Sequence, residues 1–258
     1  MTSPGAPMWR HSPAWPALGR GEVHVWRAVL VQPNPVVQAL WRTLDQGERD
    51  RAERFRFQRD RERFIVAHGL LRTILGGYLG GAAGQLRFCY GAYGKPELAP
   101  ECGAALSFNL SHAHELALYA ITRERAVGVD IEHMRPGIAD IAIAERFFSP
   151  HEVAALQALP NAERGLAFFT CWTRKEAYIK ARGEGLSLAL DQFEVSLTPG
   201  APAALLDVAG DQRERDRWEL QALDPGPGYV AALAVEGHGW ALHCWQITDP
   251  QPLWSALR

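Results

Sequence analysis

Two short segments of the sequence combine carboxylates and amines at spacings that are typical of metal and phosphate chemistry. The first reads Gly-Val-Asp-Ile-Glu and contains Asp130 and Glu132. The second reads Trp-Thr-Arg-Lys-Glu-Ala-Tyr-Ile-Lys and contains Glu176 and Lys180. Mg²⁺ prefers carboxylate oxygens and substrate phosphates as ligands. The two segments together therefore indicate phosphoryl chemistry.

The first segment has the alternation of a half-buried β-strand. Three β-branched residues alternate with the two carboxylates, so Asp130 and Glu132 leave the strand on the same face. Neighbouring carboxylates repel each other unless a positive charge lies between them. A magnesium ion would supply that charge, which makes both residues candidate metal ligands. Solvated surface carboxylates are the alternative interpretation.

The second segment is predicted to be helical, because no proline or glycine occurs from Leu166 to Arg182. A spacing of four places Glu176 and Lys180 along one stripe of the helix. Glu176 is then a candidate third metal ligand, and Lys180 faces phosphate oxygens one turn away. Lys175 is expected to reach the same anion from the flank. An ordinary i,i+4 ion pair on a solvated helix is the alternative.

Taken together, the two segments resemble the signature of the 4′-phosphopantetheinyl transferases. The resemblance is to the longer, monomeric group typified by the surfactin-synthetase activator, and it covers about residues 48–197. Further blocks agree with that group in order and spacing: Tyr-Gly-Lys-Pro at 93–96, Phe-Asn-Leu-Ser-His at 108–112, Arg-Phe-Phe-Ser at 146–149 and Gly-Glu-Gly-Leu-Ser-Leu at 183–188. Several ordered blocks are far more specific than one motif.

The resemblance implies an α+β fold. It predicts two similar α/β halves with antiparallel sheets, related by a pseudo-twofold axis, with the ligand cleft between them. We place the N-terminal half at 1–124 and the C-terminal half, which carries the metal strand and the signature helix, at 125–258. Periodicity by itself supports only the α+β class. It predicts one long helical region from Asp45 to Leu79, with a break near 59–60, and strands at 106–110 and 116–122 that flank a turn.

The resemblance also implies the reaction. The 4′-phosphopantetheine group would pass from coenzyme A to a serine of an apo acyl, peptidyl or aryl carrier protein, with release of adenosine 3′,5′-bisphosphate. Mg²⁺ is the implied cofactor, coenzyme A is a substrate, and Asp130, Glu132 and Glu176 are the implied metal ligands. Asp130, Glu176 and Lys180 form the predicted catalytic set. Glu176 is also the candidate base for the serine proton, and the sequence leaves both roles open.

The phosphates and the adenine of coenzyme A need fixed contacts. By resemblance, Arg63 contacts the 3′-phosphate and Lys95 contacts phosphate, while a neutral or charged His112 donates to phosphate or, alternatively, caps a turn. The predicted coenzyme A contacts are Arg63, Gly94, Lys95, Pro96, Ser111, His112, Lys175 and Lys180. At Glu48 and Arg51 the sequence departs from the family prototype, which has lysines there.

Composition restricts the partners and the compartment. The chain has 258 residues, of which 47% are hydrophobic and 22% charged, and its formal net charge is −2. This balance is typical of a globular protein and provides no global basic field for nucleic acid or an anionic membrane. No apolar run approaches the length of a membrane span, and four scattered cysteines predict free thiols. We therefore expect a cytoplasmic protein without nucleic-acid or membrane partners, and the resemblance implies that it is a monomer.

Two other functions stay open at this level. One is a catalytically inactive module that binds coenzyme A or a carrier protein, although a binder would not need all three carboxylates. The other is a different Mg²⁺-dependent phosphotransferase or phosphohydrolase, against which the ordered blocks at 93–96 and 108–112 argue. The sequence also leaves open whether the carrier serves fatty-acid, polyketide or non-ribosomal peptide biosynthesis.

Overall fold

The computed structural model describes residues 8–11, 15–102, 106–135, 137 and 141–248. The helices are Asn34–Thr43 (α1), Gln46–Glu53 (α2), Gln58–Leu79 (α3), Ile141–Phe147 (α4), Pro150–Ala158 (α5), Asn161–Arg182 (α6) and Gln212–Asp216 (α7). The strands of the N-terminal part are Arg10–His11 (β1), Glu22–Val29 (β2), Phe88–Tyr90 (β3), Pro96–Leu98 (β4), Leu106–Ala113 (β5) and Leu116–Arg123 (β6). The remaining strands are Val127–His133 (β7), Phe193–Val195 (β8), Leu205–Val208 (β9), Trp218–Leu223 (β10), Tyr229–Glu236 (β11) and Ala241–Ile247 (β12).

The strands form two main sheets that pack face to face. The first has the order β1-β12-β2-β6-β5, and the second has the order β10-β11-β7. One hydrophobic cluster lies between the two sheets, and one lies under the long helix that covers each outer face, α3 on the first sheet and α6 on the second. The α+β class is therefore confirmed. In the described part of the chain, no helix is both long and apolar enough to cross a membrane.

The two halves repeat one order of elements. Both halves contain, in the same order, a first strand, two short helices, a 22-residue helix, a two-stranded ribbon and two antiparallel strands. These elements run from β2 to β6 in the first half and from β7 to β11 in the second, where α7 is added after the ribbon. In each sheet the first strand of the half lies beside the last one, which in turn pairs with the strand before it. This confirms the expectation of two similar α+β halves.

A buried ion pair is part of the repeat. The short helices α2 and α5 each begin with a capping box whose third residue is a glutamate, Glu48 in the first half and Glu152 in the second. Glu48 accepts a hydrogen bond from Arg72 Nε at 2.6 Å, and Glu152 Oε2 lies 2.7 Å from Lys175 Nζ. Each of these cations is the fifteenth residue of its long helix (58 to 72 and 161 to 175). The pair ties a short helix to a long one in both halves.

The last strand connects the two halves. β12 follows the elements of the second half in the chain but pairs in parallel with β2, so that Cys244 lies opposite Val25. The segment thus extends the sheet of the first half, although the division into 1–124 and 125–258 assigns it to the C-terminal half. That division stays a prediction.

Two details of the local structure differ from the expectation. The helical region breaks at residues 54–57 rather than near 59–60, which separates α2 from α3. Strand β5 continues to Ala113, since Ser111 and His112 stay in register with Leu118 and Ala117 of β6. These two polar residues therefore lie on a strand and not in a turn, and the alternative role of His112 as a turn cap does not apply.

Gly128 brings the signature helix onto the metal strand. A Cβ atom at this position would lie 2.1 Å from the carbonyl oxygen of Ala177 and 2.3 Å from the backbone nitrogen of Ala181. Only a residue without a side chain allows β7 and α6 to approach so closely. This contact places the C-terminal part of α6, with Glu176 and Lys180, directly over the strand that carries Asp130.

Candidate active site

An aspartate, a lysine and a serine from three elements form the centre of the site. Lys180 Nζ lies 2.6 Å from Asp130 Oδ1 and 3.0 Å from Ser111 Oγ. Ser111 Oγ donates a hydrogen bond to Asp130 Oδ1 at 2.9 Å. Strand β5 of the first half, strand β7 and helix α6 thus meet here. Lys180 lies 50 and 69 positions along the chain from Asp130 and Ser111, which are themselves 19 positions apart.

The other two predicted ligands share the electrostatic environment of Asp130. Burial, followed by the negative charge of Asp130, raises the pKa of Glu132 to about 7. The same two causes, in the same order, raise the pKa of Glu176. Lys180 opposes both shifts without removing them. The three carboxylates therefore form one negative region, whose repulsion a bound cation would relieve.

Asp130 has one oxygen atom that no protein group satisfies. The residue is 3% exposed, and its Oδ2 atom is buried without a hydrogen-bond partner among the described residues. A buried carboxylate oxygen in this state carries a desolvation cost that a ligand can offset. Because the available donors are carboxylate oxygens, the hard cation Mg²⁺ fits them better than a softer metal. The type of donor thus fits the predicted ion, but among the described residues Asp130, Glu132 and Glu176 do not form a group whose ligand atoms converge as those of a metal site do.

A cavity of about 280 Å³ lies beside this centre. Its walls come from both halves. The first half contributes the loop 93–96 and Asn109, and the second contributes α6 and the turn after it; the lining residues are Tyr93, Gly94, Lys95, Pro96, Asn109, Glu176, Ile179, Lys180, Gly183 and Gly185. The structure therefore brings Gly94, Lys95 and Pro96 together with Glu176 and Lys180. Three larger cavities, of about 440, 570 and 650 Å³, contain none of the predicted site residues.

Lys95 joins the two walls of this cavity. Its Nζ atom donates hydrogen bonds to the carbonyl oxygens of Val127 and Ala181, both at 3.1 Å. Burial lowers the pKa of Lys95 to about 8. Among the described residues, the ammonium group contacts two backbone carbonyl groups and feels the charge of the nearby Glu97, so it is available to an anion that enters the cavity.

Asn109 fixes the relative position of the two halves. Its side-chain oxygen accepts a hydrogen bond from the backbone nitrogen of Val129 at 2.9 Å. This contact links β5 to β7 next to Asp130 and sets the distance at which Ser111 can reach the aspartate. In the sequence, Asn109 is only a member of the Phe-Asn-Leu-Ser-His block, and its sole local signal is a polar side chain within an apolar strand.

A positively charged region surrounds His112 on the same strand. The residue is exposed at the surface of the protein. Partial desolvation, followed by the positive charges of His68, Lys180, Arg51 and Arg63, lowers the pKa of His112 to about 4. A neutral imidazole among several cations marks a position where a polyanion is favoured.

Arg63 has a donor left over for such an anion. Its side chain is 15% exposed, and Nη2 lies 3.3 Å from Glu115 Oε1. The Nε atom is buried and has no hydrogen-bond partner in the described structure. The predicted residues Arg63, His112 and Lys180 are therefore close enough to act on one another. Arg51 and His68 belong to the same positive region, and neither is among the predicted coenzyme A contacts.

The structure explains why a glutamate can stand at position 48, where the family prototype has a lysine. Glu48 is 6% exposed and accepts hydrogen bonds from His68 Nδ1 at 3.2 Å and from Arg72 Nε at 2.6 Å. The carboxylate thus belongs to the interior of the first half and does not repel phosphate in the cleft.

The structure does not bring Lys175 to this site. The side chain is fully buried, and besides its ion pair with Glu152 it donates hydrogen bonds to the carbonyl oxygens of Leu190, at 2.7 Å, and Phe193. Adjacent residues of a helix point about 100° apart, so Lys175 faces the interior of the second half while Glu176 faces the cavity. The expectation that Lys175 reaches phosphate from the flank is corrected accordingly.

Comparison with known proteins identifies the family. A family model described as "4'-phosphopantetheinyl transferase superfamily" matches residues 126–234, and one described as "4'-phosphopantetheinyl transferase, N-terminal" matches residues 32–124. The 4'-phosphopantetheinyl transferase HetI of Nostoc sp. is 42% identical over 238 residues, which cover 92% of this chain and 97% of that protein. The chain therefore belongs to the 4′-phosphopantetheinyl transferase superfamily.

Further relatives confirm the group within the family. The putative 4'-phosphopantetheinyl transferase slr0495 of Synechocystis sp. is 32% identical, over 73% of this chain and 75% of that protein. The 4'-phosphopantetheinyl transferase Sfp of Bacillus subtilis is 34% identical, over 58% of this chain and 65% of that protein. The resemblance to the surfactin-synthetase-activator group is thus confirmed.

Proposed function

We propose that this chain transfers the 4′-phosphopantetheine group of coenzyme A to a serine of an apo acyl, peptidyl or aryl carrier protein and releases adenosine 3′,5′-bisphosphate. One observation carries the proposal. In a member of this family, Asp130 and Lys180 meet at 2.6 Å, and Lys180 and Glu176 line a cavity between the two halves. A site of this composition serves the transfer of a charged phosphoryl group.

Asp130, Glu132 and Glu176 would hold the Mg²⁺ ion. When bound, the ion neutralises negative charge on the phosphate oxygens and on the leaving group. The unsatisfied Oδ2 atom of Asp130 and the raised pKa values of Glu132 and Glu176 support this assignment.

The remaining roles follow from position and charge. Lys180 keeps its ammonium group beside Asp130 and is 29% exposed, so it can face a phosphate in the cavity. Ser111 orients both groups through its hydroxyl. Glu176, whose pKa is raised, accepts the proton of the carrier serine directly or through a water molecule. A carboxylate with a raised pKa is a better base near neutral pH.

Coenzyme A would lie along the cavity and the positive region. We assign the 3′-phosphate and the pyrophosphate to Arg63 and His112, because Arg63 has a free donor and His112 lies among cations. Gly94 and Pro96 would contact the adenine. Lys95 would contact phosphate by exchanging one of its two carbonyl partners for a phosphate oxygen.

The test is incubation with coenzyme A, Mg²⁺ and an apo carrier protein, followed by mass spectrometry of the carrier. A mass gain equal to the phosphopantetheinyl group is expected, and Asp130→Asn should abolish it. Phosphate release without a carrier would favour a hydrolase, and coenzyme A binding without turnover would favour an inactive binding module. If Asp130→Asn kept most of the wild-type rate, the metal assignment would be wrong.

We further propose that the enzyme works as a cytoplasmic monomer without nucleic-acid or membrane partners. Its four cysteines are free, as a reducing compartment requires, and its net charge of −2 offers no broad basic surface. Light scattering coupled to size-exclusion chromatography will give the oligomeric state.

A further inference from the structure

Three side chains that commonly bind metals converge outside the cleft. Glu22 and His24 lie on β2, and His243 lies on β12. One ligand atom from each residue lies within 4.8 Å of the other two. His24 Nε2 is 3.3 Å from Glu22 Oε2, and His243 Nε2 is 3.8 Å from Glu22 Oε1. Two imidazoles and one carboxylate therefore face a common point.

The sheet fixes this arrangement. Glu22 and His24 are two residues apart on one strand, so their side chains leave the same face. The parallel register of β12 places His243 directly opposite His24, and the two rings meet edge to face with centroids 5.2 Å apart. The convergence thus depends on backbone pairing and not on the rotamers of a flexible loop.

Surrounding groups hold the ligands in place. His24 is 1% exposed, and its Nδ1 atom lies 2.7 Å from the hydroxyl oxygen of Tyr78. Glu22 Oε2 accepts a hydrogen bond from the backbone nitrogen of Gly19 at 2.8 Å. A histidine that binds a metal generally makes such a hydrogen bond through its second ring nitrogen, which orients the ring. In this structure His24 Nε2 is hydrogen-bonded to Glu22 Oε2 at 3.3 Å, and a metal ion would take the place of the proton between them.

The distances select the type of metal. Ligand atoms at 2.0–2.2 Å from a tetrahedral zinc ion lie roughly 3.3–3.5 Å from one another. The separations of 3.3 Å from His24 to Glu22 Oε2 and 3.8 Å from His243 to Glu22 Oε1 are close to this value, and one ligand atom from each residue lies within 4.8 Å of the other two. Imidazole nitrogen is a ligand that Zn²⁺ accepts readily, whereas Mg²⁺ prefers oxygen. The chemistry of this cluster therefore differs from that of the carboxylates in the cleft.

We propose that Glu22, His24 and His243 bind a Zn²⁺ ion, with the fourth coordination position open to solvent. Glu22 and His243 are about one-third exposed, at 34% and 36%, so the ion can enter from the surface. The ion would fasten the last strand to the first long strand across more than 200 residues of chain. Strand β6 separates β2 from β5, and the cluster lies roughly 14 Å from Ser111 by strand spacing and rise.

The test is a Zn²⁺ titration of tag-free, metal-stripped protein in excess Mg²⁺, with a chromophoric chelator as competitor. We expect one Zn²⁺ per chain and a melting temperature that rises by roughly 5–10 °C when free Zn²⁺ is 100 times the dissociation constant. Co²⁺ in the same site should show the visible absorption of a four-coordinate complex.

Variants separate this site from other zinc ligands. His243→Gln and Glu22→Gln should each weaken Zn²⁺ binding at least tenfold and remove the thermal shift, while their melting temperatures without metal confirm that they fold. His151→Gln, whose side chain is 87% exposed, is the matched control and should bind as the wild type does. Wild-type protein that binds no Zn²⁺, or unchanged binding in both cluster variants, would overturn the proposal. So would a loss of Zn²⁺ binding in Asp130→Asn, because it would assign the ion to the cleft.

Discussion

Replacing Gly128 with alanine tests how the site is positioned. The added Cβ would lie 2.1 Å from the carbonyl oxygen of Ala177, whereas real Cβ atoms essentially never come within 3.0 Å of such an atom. The obstructing atoms belong to the backbone of α6, which cannot rotate away. The helix must therefore move from the strand by about 0.9 Å, the difference between the two distances.

The size of the effect follows from this displacement. Overpacking a well-packed interior costs about 1–3 kcal/mol, and a clash with helix backbone should lie near the upper end. For a chain of this size, about 3 kcal/mol lowers the melting temperature by roughly 6–12 °C. The shift also moves Glu176 and Lys180 away from Asp130, and a misplacement of about 1 Å can reduce a rate about 100-fold.

The assay compares Gly128→Ala with Gly165→Ala, a glycine of the same helix where an added Cβ meets nothing within 4 Å. Carrier modification is measured by mass spectrometry well below the melting temperature, so that both variants are folded. The control should transfer at the wild-type rate and gain about 0.5–1 kcal/mol of stability, because alanine favours a helix more than glycine does. A Gly128→Ala enzyme with wild-type rate and melting temperature would refute the close contact between α6 and β7.

Three other predictions follow from the ionisable groups. Lys175→Met should lower the free energy of unfolding by about 3–5 kcal/mol, because it leaves Glu152 charged and buried. The KM for coenzyme A should stay unchanged. A raised KM with normal stability would instead support a contact between Lys175 and phosphate. The pKa of His112 is about 4 in the free protein and should rise when coenzyme A binds, because the phosphates of coenzyme A offset the surrounding cations. NMR titration of the imidazole ring measures this pKa, and a value that coenzyme A leaves unchanged would show that no anion binds there. For Lys95, the pKa is about 8 in the folded chain against 10.5 as its ordinary value, so the unfolded chain binds more protons between these values and stability should rise with pH across that window. Denaturant unfolding of Lys95→Met should show a flatter pH dependence, and an unchanged slope would contradict the assignment.

The elements that carry the chemistry could be predicted from local patterns. The alternation around Asp130 predicts a strand, and the unbroken apolar spacing around Glu176 predicts a helix, because each signal lies within a few consecutive residues. Their convergence followed from the resemblance to a family. Distances such as that between Asp130 and Lys180 required the close approach at Gly128, which depends on packing between distant segments.

Other features depend on tertiary contacts that a sequence pattern does not record. Lys175 and Glu176 are adjacent, and only the packing of α6 decides which of them faces the cavity. The pairing of β5 with β6 extends the strand through His112, although residues 111–114 have the polar composition of a turn. The position of β12 beside β2 joins segments more than 200 residues apart, and nothing in the sequence of either strand indicates their parallel pairing.

The repeated scaffold also shows what the first half contains at the positions of the site. Val23 of β2 and Val127 of β7 each pair with the second-to-last residue of the neighbouring strand, so these two valines occupy equivalent positions. Three residues further along each strand, Trp26 is therefore equivalent to Asp130. When residues are counted from the start of each long helix, Thr73 has the position of Glu176 and Gly77 has the position of Lys180. The aromatic rings of Trp15, Trp26 and Tyr78 pack together around this place in the first half.

Duplication of the scaffold has therefore not duplicated the chemistry. The first half has the indole of Trp26 at the position where the second half has the carboxylate of Asp130. The first half therefore lines one side of the cavity and supplies positively charged side chains to the site of the second half. Such asymmetry fixes the stoichiometry: calorimetric titration should find a single coenzyme A per polypeptide, even though the polypeptide contains two versions of the same architecture.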